Sequence, residues 1–445
     1  MEESRKMVIR ADGQPFGTDA QERRLVGWAA DRPCRYRRLM RWRLLGGAIA
    51  AALALTGCTA TAPTPTADQS RQVPGAASSA DIPGQTPSAS NASPRTAPDG
   101  RPFVVKELGR FTEPWAMAFL PGSDRMLITQ RSGALLLRDN ATGRSVQVQG
   151  TPQVVHAGQG GLGDIVPGPT FADDNTVYLS WVEAGGGDAG AVVGRATLNT
   201  SGDTPRLDGL RVIWRQEPKV SGSGHFSHRI AFSPDGRYLF VSSGERQKFQ
   251  PAQDLSNNLG KILRLNLDGT PAPGNPFAGR GGVSAQIYSY GHRNVLGLAF
   301  DADGRLWASE MGPQGGDEIN LIKPGANYGW PNASDGSQYG GADIPDHKPG
   351  DGYEAPKVFW NPSISPGSLM IYSGDLFPQW RGDAFVGALS GQALIRVDLD
   401  GENATKGDQW DMGQRIRAVK QAPDGSIWIL EDAPSGRLLQ LTPPA

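Results

Sequence analysis

The sequence predicts an all-β fold, a six-bladed β-propeller built from four-stranded antiparallel sheets. The 445 residues include 59 glycines and 35 prolines, and 20% are charged, which suits short strands joined by turns better than long helices. A turn rich in Pro, Asp and Gly, followed by an alternating apolar strand, also recurs six times. Such repetition is typical of a propeller, because each blade repeats one small sheet.

The six copies follow one another at unequal spacing, which argues against a solenoid but is normal for blades with loops of different length. They are "LPGSDRMLITQ" near Met126, "FADDNTVYLSW" near Val177, "SPDGRYLFVSSG" near Tyr238, "DADGRLWASEMG" near Leu306, "FPQWRGDAFVGAL" near Ala384 and "APDGSIWILED" near Ile427. One such sheet cannot bury both of its faces alone, so we expect six to pack around an axis. A pair of β-sandwiches is the alternative, although it does not require six similar units.

Residues 1–57 have the features of a secretory signal, in which a basic cluster precedes an uncharged apolar run from Leu44 to Leu55. The run has about a dozen residues, fewer than the roughly 20 of a membrane-spanning helix. Its end, Leu55-Thr56-Gly57-Cys58, resembles the lipobox of bacterial lipoproteins, in which the cysteine is lipidated. A plain signal peptide is the alternative. Since signals normally begin at the N-terminus, we expect the true start near Met40.

Residues 58–100 comprise this cysteine and a stretch rich in Ala, Pro, Ser and Thr that contains no aromatic residue. Such a stretch cannot bury enough surface to fold and is predicted to be a disordered tether. The propeller domain then occupies 101–445. We therefore expect a periplasmic or cell-surface lipoprotein that is anchored to a membrane through Cys58.

Charge and cysteine content exclude several classes of function. Of 44 basic and 45 acidic side chains, 11 and 6 lie in residues 1–57, which leaves 33 basic and 39 acidic ones. This acidic balance does not predict a nucleic-acid partner. The two cysteines, Cys34 and Cys58, both precede the predicted domain, so it has no disulfide, thiolate metal site or cysteine nucleophile.

The stretch "SGSGHFSHRIAFSPDG", 221–236, contains two of the five histidines of the chain. If a strand begins near His225, alternation points His225 and His228 to opposite sides and brings His225 and Arg229 to the same side. A metal pair is therefore disfavoured. Taken singly, a histidine beside a turn is more often a structural group than a catalyst.

A second segment, "YSYGHRNVLGLAFDADGRLWASEMGPQGGDEINLIKPGANYGWPN" at 288–332, is rich in Gly, Pro, Asn and carboxylates. Asp317 and Glu318 stand beside glycines that expose backbone carbonyls. Oxygen-rich loops of this kind suit calcium. A solvated acidic loop is the alternative on composition alone.

Several motifs occur in the order of one known family: "GQGGLGDIV" at Gly158, "GHFSHRIAF" at Gly224, "AQDLSNNLGKILRLNLDG" at Ala252, "GHRN" at Gly291, "EMGPQGGDEINLIKPGANYGWP" at Glu310 and "GQRIRAV" at Gly413. In these motifs the sequence resembles the soluble quinoprotein aldose sugar dehydrogenases, which use pyrroloquinoline quinone (PQQ) and are grouped with the glucose/sorbosone dehydrogenases. The resemblance extends from about Val104 to Leu441. It implies a six-bladed propeller, in agreement with the six copies counted above.

The resemblance implies roles for individual residues of the catalytic site. His225 matches the general base that removes the anomeric hydroxyl proton while hydride passes to the quinone, and His228 is then a bystander. Gln159 matches a glutamine that contacts the sugar hydroxyl near this base. Arg293 and Asn294 match the pair that contacts the quinone, where a cation would stabilise the charge delivered by hydride transfer.

Further matches concern the cofactor carboxylates and calcium. Arg415 and Arg417 match the arginines that hold the carboxylates of PQQ, in keeping with the bidentate pairing of arginine with carboxylate. Without the resemblance, an exposed basic face would be preferred. Gly312 and Pro313 match positions whose carbonyls bind the calcium that polarises PQQ. The resemblance also suggests Glu318 and Tyr328 as part of a second, structural calcium site.

Two positions depart from the family pattern. Ser390 stands where relatives usually carry a lysine that contacts PQQ, which puts the affinity for the cofactor in doubt. Gly224 precedes the base where relatives carry an acidic or amide residue, which puts the orientation of the base in doubt.

Together these features predict a PQQ-dependent and calcium-dependent enzyme that oxidises aldose sugars to lactones and passes the electrons to an unidentified acceptor. A non-catalytic propeller binding module is one alternative, but the chain keeps both His225 and the arginine pair. A calcium-dependent propeller lactonase is the other, and it would need carboxylate and amide ligands at the central axis. The sequence does not determine the preferred sugar.

Overall fold

The computed structural model describes residues 96–445, which are almost entirely β-strands and connecting loops. The predicted signal region, 1–57, and the predicted tether as far as residue 95 lie outside the described residues. Within 96–445, every helix is too short or too polar to cross a membrane.

Six four-stranded antiparallel sheets, numbered here as blades 1 to 6, include all but two of the 26 strands. The first strand, β1 (Val104–Phe111), belongs to blade 6. Blade 1 contains β2 (Pro114–Phe119), β3 (Arg125–Gln130), β4 (Leu135–Asp139) and β5 (Ser145–Val148). Blade 2 contains β6 (Leu162–Pro167), β7 (Thr176–Gly185), β8 (Asp188–Asn199) and β9 (Arg206–Arg215). Blade 3 contains β10 (Ser227–Phe232), β11 (Tyr238–Ser243), β12 (Lys261–Asn266) and β13 (Ile287–Tyr290).

Blade 4 is interrupted by a small two-stranded sheet that β16 and β18 form beside it. In chain order its segment contains β14 (Val295–Phe300), β15 (Leu306–Glu310), β16 (Gln314–Gly315), β17 (Asp317–Ile322), β18 (Gly336–Ser337) and β19 (Val358–Trp360). Blade 5 contains β20 (Pro366–Ile371), β21 (Ala384–Ala388), β22 (Ala393–Asp400) and β23 (Asn403–Asp411). Blade 6 contains β24 (Ile416–Gln421), β25 (Ile427–Glu431), β26 (Gly436–Thr442) and β1. The helical segments are α1 (Phe171–Asp174) and 3₁₀ turns at Gln250–Ala252, Ala278–Arg280, Gly282–Gln286 and Pro378–Trp380.

The predicted six-bladed propeller is confirmed, and each of the six sequence copies forms the second strand of one blade. These strands are β3, β7, β11, β15, β21 and β25. The first strands of the six blades contact one another in sequence around the axis, and β24 of blade 6 contacts β2 of blade 1. The pairing of β1 with β26 completes blade 6 and closes the ring.

Six hydrophobic clusters lie between neighbouring blades, one at each interface. Between blades 1 and 2, for example, Trp115 and Leu127 pack with Leu179 and Trp181. Each sheet therefore buries its two faces against the two adjacent blades, because no blade is thick enough to enclose a core alone.

The first strand of every blade contains an irregularity where it pairs with the second strand. These register shifts fall at 114–116, 162–165, 227–230, 295–297, 366–368 and 416–418, near the beginning of each strand. β-Bulges bend a strand, increase its twist and change the direction of side chains. All six therefore redirect side chains at the same end of the propeller axis.

Candidate active site

A cavity of about 320 Å³ lies at this end of the axis. This is within the range of about 300–1,000 Å³ for small-molecule sites. Its walls come from the beginnings of first strands and from the loops that follow second strands. The lining includes Trp115, Arg131, Gln159, His228, Asn294, Met311, Tyr339, Ser365, Leu389, Arg415, Arg417 and Asp432.

His225 lies just before β10 and is buried, with its ring Nδ1 in contact with the Glu245 carboxylate. Glu245 follows β11, is fully buried, and accepts a second hydrogen bond from the backbone N–H of Phe249 at 2.7 Å. An acceptor at Nδ1 assigns the proton to that nitrogen and leaves Nε2 with a free lone pair. Nε2 makes no hydrogen bond to any residue within 96–445. The pair thus presents a base in the correct tautomer.

Burial lowers the pKa of His225 below its usual value, and the hydrogen bond to Glu245 opposes this effect only in part. The charge of Arg293 lowers the pKa further. Burial acts to raise the pKa of Glu245, but the hydrogen bonds from His225 and the Phe249 backbone and the nearby positive charge of Arg293 together outweigh it, so the carboxyl pKa lies below its usual value. At neutral pH the pair is therefore a neutral imidazole held by a carboxylate.

The segment that carries His225 has an unusual backbone. His225, Ser227 and His228 have φ values of 49°, 57° and 54°, a left-handed conformation that non-glycine residues seldom adopt. Arg246, itself at φ 62°, lies below this segment and donates to the carbonyls of Gly224 at 2.8 Å and Gly222 at 2.5 Å. Backbone of this kind persists only where the surroundings hold it, and such positions cluster at functional sites.

The two histidines do diverge, as predicted, but not by strand alternation. β10 begins only at Ser227, so His225 precedes the strand, and the bulge at 227–230 interrupts the alternation. The expected convergence of His225 with Arg229 is wrong. Arg229 instead reaches the propeller axis, where it donates to the carbonyl of Leu296 at 2.7 Å and lies over the Trp115 ring.

His228 lines the cavity, and its ring is held by contacts with Ser180 and Trp115. Its Nδ1 lies 2.8 Å from the Ser180 hydroxyl, and its ring stacks on Trp115 with centroids 5.1 Å apart. Burial lowers the pKa of His228 to about 3. This histidine therefore stays neutral and forms part of the cavity wall.

Gln159 lies in the loop between β5 and β6 and borders the cavity. Its Oε1 accepts a hydrogen bond from the His225 backbone N–H at 2.7 Å, so its amide fixes the position of the histidine segment. The preceding Gly158 approaches Ser223 so closely that a Cβ would lie 2.5 Å from the Ser223 carbonyl oxygen. A glycine there allows the two loops to meet.

Arg293 is buried, and its Nη1 donates to the carbonyls of Met311 at 3.0 Å and Gly312 at 2.7 Å. Its Nη2 donates to the Tyr339 hydroxyl at 3.1 Å. Its Nε is buried without a hydrogen-bond acceptor among the described residues. A buried guanidinium N–H that lacks an acceptor fits an oxygen atom of a bound ligand.

Asn294 stands beside Arg293 in the cavity wall, and its Oδ1 accepts from the Ser227 hydroxyl at 3.0 Å. The Glu310 carboxylate supports both residues, because it accepts the backbone N–H of Arg293 and that of Asn294. The other oxygen of Glu310 lies 2.8 Å from Nδ1 of His292. The "GHRN" motif therefore contains its own positioning histidine.

Arg415 and Arg417 meet at one side of the cavity, where Asp432 lies between them. The Arg415 Nε is 2.8 Å and the Arg417 Nη2 is 2.9 Å from the carboxylate. Burial acts to raise the pKa of Asp432, but the charges of Arg417 and Arg415 and their hydrogen bonds together outweigh it, so the pKa is lowered. Two cations against one anion leave a net positive charge, which suits a ligand carboxylate.

Ser390 is exposed beside this wall and donates at 2.8 Å to the hydroxyl of Ser365, which lines the cavity. The position that a lysine occupies in relatives thus points toward the cavity here as well. A hydroxyl supplies no charge, so the net positive charge of this wall depends on Arg415 and Arg417.

At the predicted calcium position Gly312, the carbonyl oxygen is already a hydrogen-bond acceptor. The Gly312 carbonyl already accepts from Arg293, and the Gly312 N–H donates to Asp317 at 2.8 Å. The second Asp317 oxygen accepts the backbone N–H groups of Ile364 at 2.6 Å and Ser365 at 2.7 Å. Asp317 therefore joins the Gly312–Pro313 loop to the loop before β20.

Glu318 and Tyr328 border a small cavity of about 10 Å³ that Glu310 and Gly312 also line. Burial, followed by the charge of Glu310, raises the pKa of Glu318 well above its usual value. A buried carboxyl group whose pKa is raised by a second carboxylate suits a cation. The Tyr328 hydroxyl, however, donates to Leu321 at 2.6 Å and accepts from Lys323 at 2.8 Å. Within 96–445, no group of three His, Cys, Asp or Glu side chains is arranged to hold a metal.

Sequence reasoning missed Glu245 and Asp432, although both follow the second strand of a blade. The same position supplies Arg131 after β3, Met311 after β15 and Leu389 after β21, all in the cavity wall. Asp432 directly follows β25, and Glu245 is the second residue after β11. Comparing the first two residues after the strand in each of the six copies would therefore have identified both carboxylates.

Comparisons with known proteins agree with this fold. A family described as Glucose / Sorbosone dehydrogenase matches residues 111–440. The aldose sugar dehydrogenase YliI of Escherichia coli is 41% identical over 341 residues, covering 75% of this chain and 91% of the relative. The apo crystal structure of the soluble aldose sugar dehydrogenase of Escherichia coli matches with a TM-score of 0.73 and 40% identity, covering 77% of this chain and all of that one.

A PQQ-bound structure is also among the similar proteins. The PQQ-bound form of the aldose sugar dehydrogenase of Streptomyces coelicolor matches with a TM-score of 0.64 and 32% identity, over 76% of this chain and 98% of that one. The family match covers nearly the whole propeller, from β1 to β26. This chain belongs to the glucose/sorbosone dehydrogenase family.

Proposed function

We propose that the protein oxidises aldose sugars at the anomeric carbon to lactones, with PQQ as its cofactor and His225 as the general base. The observation that carries this proposal is the buried His225–Glu245 pair beside Arg293, next to a cavity of about 320 Å³ with an arginine pair in its wall. The enzyme class agrees with the family to which the chain belongs.

In the proposed reaction, Nε2 of His225 accepts the proton of the anomeric hydroxyl. Glu245 stabilises the imidazolium that forms, since its carboxylate already contacts Nδ1. PQQ, when bound, supplies the hydride acceptor. When the anomeric hydroxyl loses its proton and the anomeric carbon loses a hydride, the cyclic hemiacetal becomes a lactone. Gln159 keeps the base in place through the His225 backbone, and its amide nitrogen remains available to a sugar hydroxyl.

The cavity residues fit a flat anionic cofactor. Arg415 and Arg417 would bind its carboxylates, because Asp432 balances only one of their two charges. Arg293 and Asn294 would contact the quinone, and the unpartnered Nε of Arg293 offers a hydrogen bond there. Trp115 and His228 provide a stacked aromatic wall.

We also propose calcium as a second requirement, with Gly312 and Pro313 as carbonyl ligands. The Gly312 carbonyl would have to share its oxygen with Arg293 or release it. The Glu318 carboxylate, close to Glu310, is the better-supported cation ligand, because neutralising two buried carboxylates is favourable. Tyr328 stays a weaker candidate, since its hydroxyl is already bonded twice.

The alternatives receive less support from the site. A binding module would not require a buried His–Glu pair that leaves one ring nitrogen free. A lactonase with a metal on the axis would have to place it where the Arg229 guanidinium lies, between the Leu296 carbonyl and Asp164. The membrane anchor at Cys58 and a separate electron acceptor remain part of the proposal, and a Cys58→Ser variant that stays membrane-bound would exclude the anchor.

The test is a titration of PQQ into purified, metal-stripped protein with calcium present, followed by dye-linked oxidation of an aldose panel. We expect sugar-dependent dye reduction that requires PQQ and calcium, and a His225→Gln variant that binds PQQ but turns over about 10²–10⁴ times more slowly. Failure of the loaded protein to reduce dye with any aldose would overturn the proposal.

A further inference from the structure

Tyr339 is the most exposed of the large hydrophobic side chains within 96–445, at 71% relative exposure, yet it lines the cavity. An aromatic ring that is this exposed contributes little to the stability of the fold. At the same time it forms part of the cavity wall that solvent reaches. Its position therefore requires an explanation other than packing.

The segment around Tyr339 is a short arm rooted beside the Gly312–Pro313 loop. Gly336 of β18 pairs with Gly315 of β16, and Ser337 forms a bridge with Asp343. Tyr339 lies in the tight turn at the tip, which Gln338 closes by donating to the Ala342 carbonyl at 2.9 Å. The pairing of β18 with β16 fixes the base of the arm, and its tip extends into solvent.

The glycines that follow Tyr339 give the tip room to adjust. A Cβ added at Gly340 or Gly341 would meet no atom within 4 Å, so no packing confines them. Gly341 has a φ of 79°, which glycine adopts without strain. The tyrosine can therefore shift toward a bound ligand without disturbing the blades.

Tyr339 is joined to the buried residues behind the cavity wall through Arg293. Its hydroxyl accepts from Nη2 of Arg293 at 3.1 Å, and its ring centroid lies 5.6 Å from the guanidinium carbon. Trp330 contacts the same guanidinium at 5.2 Å, and Phe249 stacks on Trp330 at 5.7 Å. In the row Phe249–Trp330–Arg293–Tyr339 the two middle residues are buried, and Tyr339 is the more exposed of the two ends.

This row lies on the side of the cavity that carries the base. The Arg293 carbonyl accepts the backbone N–H of Glu245 at 3.0 Å, and Glu245 holds His225. Within 96–445, the Arg415–Asp432–Arg417 group, by contrast, makes no hydrogen bond to Tyr339. A ligand that meets the Tyr339 ring therefore approaches the base and Arg293 from the solvent side.

We propose that Tyr339 is a specificity-determining residue whose ring forms the outer wall of the sugar site, while its hydroxyl keeps Arg293 in position. The inference rests on the proposed function and names the sugar as the occupant. The C–H face of a pyranose is apolar and carries partial positive charge, so it matches the negative face of an aromatic ring. The cofactor, which enters first and is held by the arginines, would lie deeper.

Three variants separate the two roles of Tyr339. Tyr339→Ala removes the wall and the hydroxyl, and Tyr339→Phe removes only the hydroxyl. Phe359→Ala is the matched control, because Phe359 is also an exposed aromatic, at 42%, but lies in the outer strand β19, where its ring is 5.7 Å from the Lys406 ammonium.

Steady-state oxidation of an aldohexose by the PQQ-loaded enzymes gives KM and kcat. We expect Tyr339→Ala to raise KM about tenfold. Tyr339→Phe should keep KM within about twofold and lower kcat about threefold, since Arg293 loses one acceptor. Phe359→Ala should match the wild type.

A second readout does not depend on turnover. Saturation-transfer NMR with a methyl aldohexoside, whose anomeric oxygen has no proton to lose, reports sugar binding directly, and Tyr339→Ala should weaken it by the same factor. An unchanged KM together with unchanged glycoside binding in Tyr339→Ala would overturn the inference. A wild-type protein that oxidises no aldose would instead overturn the proposed function, so the two failures are distinguishable.

Discussion

Glu245 and His225 form a buried pair that comes from two neighbouring strands, with the carboxylate on Nδ1 and the other ring nitrogen free. Gly224 stands where relatives carry an acidic or amide residue, yet the imidazole still has a carboxylate that orients it. The acidic group that orients the imidazole comes from the end of β11, not from the residue before the histidine. Gly224 is small because the Gln247 side chain fills the adjacent space, where a Cβ would lie 2.6 Å from its amide oxygen.

Replacing Glu245 with glutamine should lower kcat by about 10- to 100-fold, the usual effect of removing a carboxylate that orients a histidine. The amide can still accept from Nδ1, but it cannot stabilise the imidazolium by charge. Stopped-flow reduction of bound PQQ by sugar measures this step. PQQ affinity is the control and should stay unchanged, whereas an equal loss of affinity would show that Glu245 only supports the cavity.

The pH dependence of kcat/KM should follow the pKa of His225. The imidazole must be neutral to accept a proton, so activity should rise with pH and level off above a midpoint below about 6.5. Because the hydrogen bond to Glu245 raises the pKa of His225, Glu245→Gln should move the midpoint to lower pH. A midpoint above 6.5 in the wild type would contradict this assignment.

Ser390→Lys should strengthen PQQ binding about tenfold, since a hydrogen bond to a charged group contributes about 1.5–3 kcal/mol. Ser390 is exposed, so the longer side chain meets no steric barrier. Fluorescence titration of PQQ measures the change, and Ser390→Thr controls for size. If the lysine variant binds no more tightly than Ser390→Thr, this position does not face the cofactor.

Calcium should raise the melting temperature of the wild type by a few degrees and have less effect on Glu318→Gln. The cation would neutralise Glu318 and Glu310, whose mutual repulsion raises the pKa of Glu318. In the absence of calcium, stability should fall as pH rises through that raised pKa, because the buried carboxyl must then ionise. Glu354→Gln, at a partly exposed ion pair with Lys323, is the control for scanning calorimetry. Equal calcium shifts in both variants would place the cation elsewhere.

Arg246→Met should destabilise the fold by about 3 kcal/mol, because buried carbonyls lose a charged donor. The affected acceptors include Gly222, Gly224 and Ala189, the last at 2.5 Å. Urea unfolding measures the change, with the highly exposed Arg237→Met as the control. Activity should fall more than stability alone explains, since the segment that carries His225 would relax. Unaltered kcat in a destabilised variant would refute that link.

The fold could be predicted from the sequence because the six turn-strand copies are local patterns, and each of them forms the second strand of a blade. The motif residues of the cavity could be assigned by resemblance. The direction of side chains could not, since alternation holds only in regular strands, and all six first strands are bulged where they reach the cavity. The error over Arg229 has this cause.

Hydrogen-bond partners from different blades could not be predicted from the sequence either. Asp317 of blade 4 and Ser365, just before blade 5, are 48 residues apart along the chain, and nothing in either motif indicates the other as its partner. Such pairs form only when the ring brings the ends of different strands together. Burial, which sets the pKa of His225, likewise depends on the assembled blades.

The closure of blade 6 by β1 and β26 has a consequence for biosynthesis. Of the strands within 96–445, β1 is synthesised first and has no partner until β26, the last of them, has been made, so the ring stays open until then. Its long-range pairing makes folding a late and slow event. A peptide linker that joins the two strands directly, with new termini in the exposed turn at Gly186–Gly187, should let blade 6 form as a hairpin and shorten that delay.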